Sequence, residues 1–195
     1  MSNPSEPPSL PSASSVQRVA IALRRAGWIC FWVQLVLAVI SGIILFFAAI
    51  ASQASRTPVA TSGSGGGLFF AVLGLLVLGF STYRAYGYTR LSQKLRSPGP
   101  ARPSRADTIK QIRITLISNL VGMTLTLVAA EAIGGILLAK AVSQPSSQAV
   151  FGAGALRDFI QPIDLFVVLA SNHTIVAHFA GLVASIWLID QIYKQ

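Results

Sequence analysis

The chain has 195 residues, 53% of them hydrophobic and only 11% charged, against about 25% charged in a soluble domain. That balance argues against a water-soluble enzyme. The formal charge of +9 would suggest nucleic acid only if it were spread over a soluble surface, and it is not. A single cysteine, Cys30, excludes an intramolecular disulfide, and its place in an apolar run reads as inert packing.

Residues 1–17 are Ser/Pro-rich and lack the basic start and apolar middle of a signal peptide. They are expected to be a disordered tail ahead of a four-span membrane domain over residues 18–195. Arg18–Arg25 is basic and amphipathic, with Val16, Val19, Ala20 and Leu23 on one side. It is expected to lie along the membrane surface. Four apolar runs follow, at about 28–51, 68–88, 114–139 and 163–189. Each reaches the roughly 20 residues that an α-helix needs to cross the hydrocarbon. Trp28 and Trp32 open the first, and Tyr83, Tyr86 and Tyr88 close the second, as aromatic belts do.

Between the first two runs lies a Ser/Gly-rich linker. Between the second and third lies a basic loop, 84–113, with Arg84, Arg90, Lys94, Arg96, Arg102 and Arg105 as candidate contacts for lipid headgroups or a partner. Its prolines forbid helix in the middle. Ser104 and Asp107 form a capping signature, so the third helix is expected to begin near Arg105. Pro162 suits the first turn of the fourth. Twelve of the fifteen Lys and Arg residues fall in the N-terminal segment, the second loop and the C-terminal tail. The positive-inside rule then predicts both termini inside. The expected fold is all-α: an integral membrane four-helix bundle, N-in and C-in.

The polar groups within the runs are Gln34, Glu131, Asp164, Asn172, His173 and His178. A charged carboxylate deep in a span costs about 2.5–3.5 kcal/mol, so Glu131 must be protonated, paired or hydrated. His173 and His178 are five apart, a poor spacing for one metal on a regular helix. Either Asn172–Thr174 interrupts the helix, or each histidine faces a different neighbour. His173, Ala177, Gly181 and Ser185 form a line at four-residue spacing, and small residues so placed let helices approach closely. Gln34 and Ser41 share a face and are expected to point into the bundle. Asp164 is expected to cap its helix. No catalytic motif or nucleotide-binding glycine loop occurs, so neither an enzyme nor a nucleic-acid partner is expected.

Several segments carry a resemblance. They include Arg25-Ala26-Gly27-Trp28, Tyr88-Thr89-Arg90-Leu91, Arg102-Pro103-Ser104-Arg105-Ala106-Asp107, Gln161-Pro162-Ile163-Asp164 and Asn172-His173-Thr174-Ile175-Val176-Ala177-His178. In order, they resemble a family of small four-span proteins of unknown function from cyanobacteria and chloroplasts. Its plant members are inner-envelope proteins described both as "permease in chloroplasts" and as an import-translocon subunit. The resemblance implies iron permeation or a part in preprotein import, and a plasma or thylakoid membrane of a cyanobacterium as the location. Glu131, Asp164, Asn172 and His178 fall at motif positions; His173 stands where a more variable residue is expected. The expected function is a permease, or permease component, for a metal cation such as iron, with Glu131 and His178 as an inward-facing pair and Asn172 and Asp164 in support. The alternative is a non-catalytic subunit of an import or assembly complex. A bundle of four helices is narrow, so a pore would need a homo-oligomer.

Overall fold

In hydrocarbon no water satisfies a bare N–H or C=O, so apolar runs of this length fold as helices, whose backbone bonds are internal. The computed structural model, which describes residues 13–54, 65–97, 102–143 and 162–194, contains four: α1 (Ala13–Ala54), α2 (Gly65–Arg96), α3 (Arg105–Ser143) and α4 (Pro162–Tyr193). All four are long and apolar enough to cross a membrane, and the chain is an integral membrane protein. Each helix packs against its neighbours in sequence, α1 closes the ring against α4, and α2 meets α4 across the middle. Ala20, Leu95, Ile112 and Ile192 share one apolar cluster, which puts the N-terminal end of α1 and the C-terminal end of α4 at the same end of the bundle.

The helices overrun the expected spans at that end. α1 begins at Ala13, inside the stretch expected to be a tail; residues 1–12 lie outside the described residues. Arg18–Arg25 is not a separate surface helix. It is the first part of α1, because Ala20 and Leu23 find a buried site against Tyr88, Leu91 and Leu188. The basic loop also contracts. α2 runs on to Arg96 and α3 starts at Arg105, so most of its cations stand on helices. Ser104 caps α3: its Oγ accepts from Asp107 N–H at 3.0 Å and donates to Asp107 Oδ2 at 2.7 Å. α4 begins at Pro162 and runs without interruption through Asn172–Thr174.

Inside and outside are inverted relative to a soluble bundle. Ile29, Phe46, Phe47, Leu76 and Leu138 face outward, where lipid is as apolar as they are. Small and polar residues line the contacts, among them Ser41, Ser81, Thr115 and Thr126. Ser41 donates to the Ala170 carbonyl at 3.0 Å, and Ser92 to that of Ala20 at 2.6 Å. At Gly27 a Cβ would lie 2.9 Å from the Tyr88 Cβ and 3.1 Å from the Ala85 carbonyl, so only glycine lets α1 and α2 meet this closely.

Candidate functional site

All four helices converge on one buried polar cluster. Gln34 of α1 donates from Nε2 to Asn119 Oδ1 of α3 at 2.9 Å and to the Ala177 carbonyl of α4 at 3.2 Å. Asn119 donates from Nδ2 to the Thr115 carbonyl at 2.9 Å. His178 of α4 sets Nδ1 3.1 Å from Asn119 Oδ1 and Nε2 3.2 Å from the Gly74 carbonyl of α2. Gln34, Asn119 and His178 are fully buried. The Ala177 and Thr115 carbonyls fix the amide orientations, since each needs an N–H opposite it.

Glycines make the room. A Cβ on Gly181 would lie 2.5 Å from Gln34 Nε2 and 2.5 Å from Asn119 Nδ2, and a Cβ on Gly122 would enter the His178 ring. Thr126 and Ser185 return their hydroxyls to the Gly122 and Gly181 carbonyls, each at 2.8 Å. The hydroxyls are thereby satisfied within their own helices. Chemically the cluster ties four helices at one level. Both ring nitrogens of His178 already face carbonyl oxygens, so one of those contacts must open before a cation could bind there.

The expected site residues do not come together. Glu131 is exposed on the outer face of α3 and has no polar partner among the described residues. This corrects the expected inward-facing pair with His178. The cause is helix geometry: Glu131 follows the buried Ala129 by two residues and precedes the buried Ile133 by two, which turns it nearly opposite the core. Asn172 also faces outward, likewise without a polar partner. His173 is half-buried, and its Nδ1 is enclosed with no hydrogen-bond partner. No three His, Cys, Asp or Glu side chains among the described residues are grouped to hold a metal. Ala177, Gly181 and Ser185 are buried.

Asp164 lies in the first turn of α4, yet it is only 1% exposed and pairs with Lys140 of α3 at 3.2 Å. It ties the first turn of α4 to α3. Lys140→Met removes that cation from beside a buried carboxylate. It should destabilise by about 3 kcal/mol, the low end for such pairs, because Lys140 keeps some exposure. The double variant Lys140→Met/Asp164→Leu should recover most of the loss. Unfolding titrations of the detergent-solubilised chain would check the order; a double variant worse than the single one would refute it.

Sequence reasoning missed Asn119, although it bonds to α1 and faces His178 of α4. The signal was present: Thr115, Asn119, Gly122 and Thr126 recur at helical spacing and line one face. At the end that holds the start of α1 and the close of α4, Arg90, Lys94, Arg96, Arg102 and Arg105 are exposed and Arg84 is half-buried. Arg105 also donates to the Ile192 carbonyl at 2.8 Å, fastening α3 to the last turn of α4.

Two comparisons bear on this arrangement. The model of a family described as "Protein of unknown function (DUF3611)" matches residues 13–193. "Protein TIC 21, chloroplastic" from Arabidopsis thaliana is 31% identical over 206 residues, covering 98% of this chain and 67% of the relative. No solved structure matches.

Proposed function

We infer that this chain, which belongs to the DUF3611 family, serves without catalysis as a membrane-embedded subunit of a larger helical assembly. The observation that carries this reading is the pair of outward polar groups, Glu131 and Asn172. Lys140 lies level with Asp164, and Asn119 with Gly181, so the antiparallel α3 and α4 bring Glu131 level with the turn 169–173. A crossing of about 20 residues that starts from the aromatic end at Trp187 takes in Asn172, and one that starts at Ile114 takes in Glu131 near its far end. A polar group turned to lipid without a partner costs several kcal/mol, and a helix docked over this level would supply donors and acceptors. Both termini then face the cytosol, the side that the basic ends of the helices favour.

A maleimide test separates a covered face from a bare one. In a Cys30→Ala background, Leu127→Cys beside Glu131 and Val176→Cys beside Asn172, both exposed, should react several-fold more slowly with a lipid-soluble maleimide in native membranes than after purification of the chain alone. Leu76→Cys on α2 should react alike in both. Equal rates at all three positions would overturn the reading.

A metal-cation permease is the second reading, with iron as the cation that the family resemblance implies. Its specific support is two enclosed atoms without hydrogen-bond partners among the described residues, Gln34 Oε1 and His173 Nδ1. Iron entry into proteoliposomes that is lost in a His173→Phe variant of unchanged melting temperature would favour it over the subunit reading.

A further inference from the structure

We propose that a cleft between α2 and α3, at the aromatic end of the bundle, binds the phosphate of an anionic phospholipid through Arg84 and Arg90. The cleft holds about 110 Å³ and is lined by Tyr83, Arg84, Tyr86, Gly87, Arg90 and Gln111. It is a different place from the polar cluster and from the Glu131 face, and it does not depend on the subunit reading.

Three observations give it the chemistry of an anion site. Neither arginine has a carboxylate partner among the described residues, where the ion pairs are Lys140–Asp164 and Lys194–Asp190. Two guanidinium charges therefore share one cleft uncompensated. Both are also held in place. Arg84 donates from Nη2 to the Gln111 carbonyl at 3.2 Å, while its Nε is enclosed with no acceptor. Arg90 stacks over the Tyr86 ring at 5.2 Å, and that ring rests in turn on Phe31 at 5.7 Å. A fixed guanidinium matches phosphate oxygens better than a mobile one. Finally, the cleft has an open wall, because a Cβ on Gly87 would meet nothing within 4 Å.

Its position selects a lipid over a soluble phosphate. Tyr83 is 68% exposed beside the cleft, and tyrosines concentrate where headgroups meet acyl chains. The neighbouring lipid chains would lie on the apolar outer faces of α2 and α3, where Phe80, Ile114 and Ile117 are exposed. Basic pockets between helices at this depth suit anionic headgroups.

The test uses the full chain in detergent and measures binding of phosphatidylglycerol, phosphatidylcholine and inorganic phosphate by native mass spectrometry and thermal shift. Phosphatidylglycerol should bind and raise the melting temperature; phosphatidylcholine and millimolar phosphate should not. Arg84→Gln/Arg90→Gln should weaken phosphatidylglycerol about thirtyfold. Gly87→Leu puts a side chain into the cleft from a helix that tolerates it, and should weaken binding comparably while leaving the fold intact. Lys94→Gln/Arg96→Gln, outside the cleft, should have little effect. Equal binding of both lipids, or an effect reproduced by inorganic phosphate, would overturn the assignment to an anionic lipid. Normal binding by Gly87→Leu, or an equal loss in Lys94→Gln/Arg96→Gln, would reduce it to diffuse surface attraction.

Discussion

Gly181→Val should cost the bundle roughly 4 kcal/mol, enough to leave much of the chain unassembled. Overpacking alone costs about 1–3 kcal/mol. The new Cβ would also fall 2.5 Å from Gln34 Nε2 and 2.6 Å from Asn119 Cγ, so those groups must leave the positions in which they bond. Each interhelical bond lost adds about 0.6 kcal/mol on average in a membrane. Gly181→Ala should already destabilise, because the clash begins at Cβ. Gly122→Val should behave like Gly181→Val through the His178 ring. Gly134→Val supplies the contrast, since a Cβ there meets nothing within 4 Å. Denaturation of each variant in mixed micelles would rank them. A Gly181→Val chain as stable as Gly134→Val would show that the cluster does not hold the helices together.

Asn119→Ala should cost about 3 kcal/mol by the opposite route, an absence instead of a clash. It removes one of the two acceptors of the Gln34 amide and the oxygen that faces His178 Nδ1, and opens a void in the core. A buried polar atom left without its partner costs about 1–3 kcal/mol. Replacing both amides with apolar groups of similar size is far milder in principle, so Asn119→Leu/Gln34→Leu should lose less than the two single variants summed. A double-variant cycle on the unfolding free energies measures this directly. Strict additivity would mean that Gln34 and Asn119 do not act as a unit.

Much of the fold was legible because lipid imposes a simple rule. Apolar runs long enough to cross must be helices, and the four runs are where α1 to α4 stand. Ser104 with Asp107 and Pro162 marked helix starts at Arg105 and Pro162, because capping and proline chemistry are local. The site was less legible. Polarity within an apolar run says that a residue needs an explanation, yet it does not say which way the residue points. Glu131 and Asn172 drew notice as polar groups and turned out to face outward. Asn119 carries the same polarity and faces the core. Their phase relative to the buried positions decides the difference, and those positions do not stand out when the core is built from Ala, Ser, Thr and Gly and the outer face from Phe, Ile and Leu. Arg18–Arg25 looked like a surface segment for a related reason: its apolar side could meet either lipid or the far ends of α2 and α4, and only the packing tells them apart.

The inverted character of the bundle sets its calorimetry. Where Gln34, Asn119 and His178 meet within the bilayer, separating the helices exposes their faces to acyl chains instead of water, and the heat-capacity increment of unfolding comes from hydrating apolar surface. That stretch should contribute almost nothing to it. The cluster of Ala20, Leu23, Leu91, Leu95, Ile112 and Ile192 lies toward the basic end, where α1 starts and α4 closes, and where unfolding does meet water. The curvature of stability with temperature, and any loss of structure on cooling, should therefore be confined to that end, with the lipid-embedded part nearly indifferent to both.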